Sequence, residues 1–180
     1  HRDLHLSIRR QRQMCIRDRF ANRRFDVVML LNVLEHLADP EATLRQIYQQ
    51  VIKPGGALLI EVPNDFNAFQ RCATAVHGIQ EWWVAPPAHL NYFSASSLSS
   101  LIASAGFTVD HIESTFPLEM FLLFGDNYIG DAKLGRACHE KRMTFEMNLR
   151  RHGHTDTLRR FYRALAAENL GRQVVLHARA

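Results

Sequence analysis

Residues 25–64, FDVVMLLNVLEHLADPEATLRQIYQQVIKPGGALLIEVPN, alternate aliphatic runs with an amphipathic segment between them. Phe25–Leu31 is a nearly continuous aliphatic run, the pattern of a strand buried on both faces of a parallel sheet, and a central strand is expected. Asp39, Pro40 and Glu41 then supply an N-cap, a proline at the first helical position and an acidic first turn. Leu44, Ile47, Tyr48, Val51 and Ile52 recur at three- and four-residue spacing and define one apolar helix face. Lys53-Pro54-Gly55-Gly56 reads as the helix stop, and Ala57–Val62 as a second buried strand closed by Pro63-Asn64. Strand, helix and strand in this order make a right-handed βαβ unit. Ligands of such sheets bind beyond the carboxyl ends of the strands, here residues 31–36 and 63–67.

Working outward, the 180 residues carry 22 Lys and Arg against 18 Asp and Glu, a net charge of +4 and a pI near 9.3. The excess is local. Eight arginines and two aspartates put residues 1–24 at +6 and leave residues 25–180 at −2, so the basic pI does not describe a nucleic-acid surface on the folded part. Residues 1–19 have no helical or alternating stripe, and Gln13–Arg19, QMCIRDR, resembles a peptide that recurs where sequencing-adapter DNA has been read as coding sequence. Residues 1–23 are therefore read as a non-native or disordered basic leader, with a flexible basic arm as the alternative, ahead of a domain over 24–180. A hydrophobic fraction of 47% with 22% charged residues fits one folded domain. The chain has no apolar run long enough to span a bilayer. Cys15, Cys72 and Cys138 are odd in number and show no C-x-x-C spacing, which argues against a disulfide framework or structural zinc and points to a reducing cytoplasm.

The text from residue 25 to 64, with its V-L-E-H loop, K-P-G-G turn and P-N strand end, resembles the second half of a class I S-adenosylmethionine-dependent methyltransferase. His89-Leu90-Asn91-Tyr92-Phe93-Ser94 followed by SLSSLIASAGFTVDHIE is similar to the family's next helix and sixth strand, and Gln173–Ala178 to its antiparallel seventh. The resemblance implies an α/β fold, a partial Rossmann-like class I methyltransferase sheet of strands 4, 5, 6 and 7 with a helical insertion before the last strand. The family's glycine-rich cofactor loop has no counterpart, since no G-x-G occurs in the chain. The expectation is a carboxyl-terminal part of such an enzyme, impaired in binding its donor and exposing an apolar sheet edge prone to aggregation.

Methyl transfer from a sulfonium is an in-line displacement, so alignment and exclusion of water matter more than catalytic side chains. By matching text, Asn32, Val33, Leu34 and Glu35 would contact S-adenosyl-L-methionine. His36, and His89 from the opposite wall, would take the acceptor's proton; bracing of the following helix or loop is the plainer role for each. Glu35 offers one ligand to a divalent ion, as in some metal-using relatives, but a lone Glu-His pair has no second carboxylate in register and no metal is expected. Asn64, Asp65 and Asn67 would line the acceptor pocket, though turns also favour such residues. Trp82, Trp83, Asn91 and Tyr92 lie in the segment the family uses to cover its site, where aromatic rings equally anchor a loop on the core.

Residues 116–170 separate the last two strands, with helical patterns at 130–149 and 155–167. They offer a lid, a homodimer surface through residues 116–149, or a helical subdomain packed on itself. Arg150, Arg151, Arg159, Arg160 and Arg163 form a basic cluster that suits an acidic acceptor or a solvated helix face. The leading expectation is methyl transfer to a small-molecule acceptor, with no nucleic-acid or membrane partner. The alternative is a non-catalytic module docking a partner through the insertion.

Overall fold

The structure, a computed structural model, describes residues 23–180. Apart from Arg23, the basic leader lies outside the described residues. Four strands, β1 (Phe25–Leu31), β2 (Ile52–Pro63), β3 (Thr108–Ser114) and β4 (Gln173–Arg179), form one sheet in the order β1-β2-β4-β3. β1 and β2 are parallel, and β4 runs antiparallel to both of its neighbours, β2 and β3. This is the expected set of strands, with the last one antiparallel. The carboxyl ends of β1, β2 and β3 thus share one end of the sheet with the start of β4.

Helix α1 (Pro40–Gln46) begins as its sequence demands: Asp39 Oδ1 accepts from the Ala42 N–H at 2.8 Å. A wider π-type turn, Ile47–Val51, continues it. Leu44 and Ile47 enter the main core together with Leu98 and Ile102 of α3 (Ala95–Ser104), against Leu58, Ile60 and Val62 of β2 and Val174 and Leu176 of β4. Tyr48 instead packs edge-on to Phe107, 5.0 Å between centroids, and Ile52 is the first residue of β2.

Two local expectations are corrected. Lys53-Pro54-Gly55-Gly56 does not stand outside regular structure but forms an irregularity within β2, where the β1 register jumps from Phe25↔Ile52 to Val27↔Ala57. Gly55 takes φ +74°, and a side chain on Gly56 would meet Ile52 Cγ1 at 2.8 Å and the Lys53 carbonyl at 2.9 Å, so both glycines are needed there. β1 is neither central nor buried on both faces among the described residues. Among the described residues it is an edge strand; Val28 and Leu30 face the core, while Val27, Met29 and Leu31 are 56%, 59% and 47% exposed. The aliphatic run was a sound sign of a strand, and an exposed apolar edge matches the expectation for a carboxyl-terminal part, but an uncovered face leaves no trace in composition.

Helix α2 (Ala68–His77) starts with a reciprocal capping box between Asn67 and Gln70 and meets α4 (Glu119–Leu123), where His77 Nε2–H donates to the Leu122 carbonyl at 2.7 Å. The insertion packs on itself: Phe116, Phe121, Cys138, Leu158 and Tyr162 make a second core between α4, α5 (Ala132–Arg151) and α6 (Thr155–Ala167). Arg159 and Arg163 of α6 both pair with Glu113 of β3, at 3.2 and 3.0 Å, so part of the basic cluster serves to lay the helix against the sheet. No helix among the described residues is long and apolar enough to cross a membrane.

Candidate functional site

Asn32 leaves β1 in a left-handed conformation, φ +53°, which Asn tolerates better than most residues. Its N–H donates to the Glu61 carbonyl at 2.8 Å and its Oδ1 accepts from Gln173 Nε2 at 2.9 Å, tying the loop to β2 and β4. Val33 is half-buried. Leu34–His36 form one 3-10 turn that aims successive side chains in different directions. The Leu34 side chain is wholly buried in the main core, so it does not itself face a ligand. Glu35 is 1% exposed, a carboxylate held inside the loop.

The loop before α3 closes on this turn. Leu90 N–H and Asn91 N–H both donate to the Glu35 carbonyl, at 2.7 and 3.1 Å. Asn91 Nδ2 donates to the Leu34 and Leu37 carbonyls at 3.1 and 2.7 Å, and His36 Nδ1 bonds the Ala88 carbonyl at 2.6 Å. These contacts bring His36 and His89 edge to face with ring centroids 5.0 Å apart. His36 Nε2 lies 3.6 Å from Glu35 Oε1, and one donor atom from each of Glu35, His36 and His89 lies within 4.8 Å of the others. The two histidines expected on opposite walls are neighbours, and Glu35 stands with them.

Residues after β2 take mostly bracing roles. Asn64 Nδ2 donates to the Asn169 and Gly171 carbonyls at 3.0 and 3.2 Å, and Asn67 Nδ2 to the Asn64 carbonyl at 2.9 Å while its Oδ1 caps α2. Asp65 differs. It is 5% exposed, its Oδ2 has no partner, and burial pushes its carboxyl from 3.8 up to about 6; the Arg172 guanidinium opposes that rise, while the Glu119 and Glu35 carboxylates add to it. Glu119, missed in the sequence, is fully buried with Oε1 3.1 Å from Arg172 Nη1 and Oε2 unpartnered. Its signal was a lone acid in the most apolar run of the chain, residues 116–125. Phe66, at φ +60°, contacts Trp83 and Tyr92 edge-on with centroids 5.9 and 5.6 Å apart, and Tyr92 Oη accepts from the Ala85 N–H at 3.2 Å. Trp83 is buried, with Trp82 half-buried against it. The aromatic residues make a wall over the carboxyl end of β2.

A family profile described as a methyltransferase domain matches residues 6–112, including part of the basic leader. The chain belongs to the methyltransferase-domain family. The methyltransferase domain is also similar to solved structures. An S-adenosylmethionine-dependent methyltransferase from Archaeoglobus fulgidus is 16% identical, with 87% of this chain and 59% of that one covered and a TM-score of 0.48. The [4+2]-cyclase SpnF is 21% identical, over 86% and 49% of the two chains at a TM-score of 0.42. Phosphoethanolamine N-methyltransferase 2 of Haemonchus contortus, solved with S-adenosyl-L-methionine, is 14% identical over 86% and 33%, at 0.40. The chain therefore spans about half the length of the first solved structures it matches. No curated protein matches it.

Proposed function

We propose that this domain takes part in S-adenosylmethionine-dependent methyl transfer to a small-molecule acceptor, and that these 180 residues alone hold the donor weakly. The observation that carries the reading is the convergence of the Leu34–His36 turn and the 88–92 loop at the carboxyl end of the parallel strands, in a chain whose family is that of methyltransferase domains. The donor would lie along Asn32, Val33 and the backbone of Leu34, with Glu35 behind. The acceptor would enter between the His36–His89 pair and the wall of Phe66, Trp82, Trp83 and Tyr92, beside Asp65. Such a wall excludes water from the reacting centre, and the Glu35–His36–His89 cluster is the group placed to receive the acceptor's proton. Weak donor binding follows from the lack of a G-x-G loop in these residues.

Amide NMR during a titration with S-adenosylhomocysteine tests both clauses. Saturable shifts centred on residues 31–36 with a Kd no tighter than about 1 mM, roughly −4 kcal/mol, are expected. Micromolar binding would remove the weakness clause, and shifts that leave residues 31–36 unmoved at saturation would overturn the donor assignment.

A further inference from the structure

The Glu35–His36–His89 cluster has the electronic character of a ligand set. A carbonyl only accepts, so the 2.6 Å bond to Ala88 fixes the proton of His36 on Nδ1. The other ring nitrogen, Nε2, faces Glu35 Oε1, 3.6 Å away. Glu35 Oε2 is buried and has no hydrogen-bond partner, and the same holds for His89 Nδ1. A buried carboxylate oxygen without a hydrogen-bond donor is uncompensated, and a cation beside it would supply the missing partner. Donor atoms within 4.8 Å of one another need side-chain shifts of only about 1–2 Å to reach ligand distances of roughly 2.0–2.2 Å from a common ion.

We propose that Glu35, His36 and His89 bind a divalent transition ion of the zinc class. Two imidazoles and one carboxylate favour such an ion over magnesium or calcium, which select oxygen donors. The Nδ1–H bond to Ala88 is the outer hydrogen bond that orients a ligating histidine, and Leu90, Asn91 and His36 together make five hydrogen bonds that hold the two loops in place without the ion. Three protein ligands leave a coordination position open, and the His36 side chain is 43% exposed, so the site is reachable from solvent. The proposal stands on the cluster and does not need the methyl-transfer reading. An ion there would occupy His36 Nε2, and its charge rather than that ring would then lower the acceptor's hold on its proton.

The full chain, stripped with EDTA, is titrated with Zn²⁺ by calorimetry and with Co²⁺ by visible absorption. One ion per chain is expected, with a cobalt ligand-field band and a zinc-dependent rise in Tm. His36→Gln, which alters a partly exposed side chain, and His89→Ala should each weaken zinc about 100-fold or more, beyond what loss of an outer hydrogen bond costs, and should abolish the rise in Tm. Absence of binding by the unaltered chain, or zinc affinity unchanged in both variants, would overturn the proposal; the latter would place the ion on other histidines.

Discussion

Replacing Asp65 by Asn should stabilise the protein at neutral pH, by an amount that fades on acidification. Burial holds the folded carboxyl at about 6, whereas the unfolded chain releases the same proton near 3.8. Between those values the native state binds more protons than the unfolded state, so stability falls as pH rises. The contribution is fully present below 3.8, is lost as pH climbs to 6, and changes no further above it. The displacement corresponds to about 3 kcal/mol, an upper figure for a carboxylate with a guanidinium nearby. Asn carries no charge at any of these pH values, so Asp65→Asn should exceed the unaltered chain by up to about 3 kcal/mol at pH 7 and match it near pH 4. Urea unfolding of both proteins at pH 4, 5, 6 and 7, with EDTA present so that no metal ion alters the local charge, measures the difference from midpoint and slope. A variant no more stable at pH 7, or a difference that stays constant across the four pH values, would show that burial does not raise the Asp65 carboxyl.

Three further outcomes are expected. Met29→Lys places a charge on the open face of the edge strand and should lower light scattering at high protein concentration while changing stability by less than about 0.5 kcal/mol. Gly171→Ala should destabilise by about 1–3 kcal/mol through backbone strain alone, because Gly171 sits at φ +110°, and by more because its new Cβ would collide with the Ser114 side chain and the Thr115 carbonyl; thermal unfolding reads the loss. Asn91→Ala removes both bonds to the Leu34 and Leu37 carbonyls and should cost about 1–3 kcal/mol in urea unfolding, with zinc affinity falling in step as the two loops separate.

The fold was legible wherever local chemistry and tertiary context agreed. Asp39-Pro40-Glu41 start a helix by themselves, and the helical patterns of the insertion became α5 and α6 because their apolar stripes could bury against each other. Where a residue's fate depended on distant neighbours, the text misled or fell silent. Phe25–Leu31 reads as doubly buried because Val, Met and Leu look alike on a covered and an uncovered face. Lys53–Gly56 carry the residues of a helix stop, yet the β1 partner draws them into a bulged strand.

The site divides in the same way. Glu35-His36 was visible as an adjacent pair at the carboxyl end of a strand, which the rules for parallel sheets already mark as a place for ligands. What made it a cluster is His89, 53 positions further on in the chain, and nothing in the spacing of 36 and 89 announces contact. The link is Asn91: its side-chain amide reaches two carbonyls of the first loop while its N–H and that of Leu90 seize a third. Asn64 and Asn67 act by the same means at the end of β2, Asn64 donating to the Asn169 and Gly171 carbonyls and Asn67 to the Asn64 carbonyl. The amides of asparagines taken for acceptor contacts thus serve the site by holding its backbone, while Glu35 Oε2, Asp65 Oδ2 and His89 Nδ1, together with Asn64 Oδ1, Trp83 Nε1 and Glu119 Oε2, are buried polar atoms with unspent capacity for a ligand.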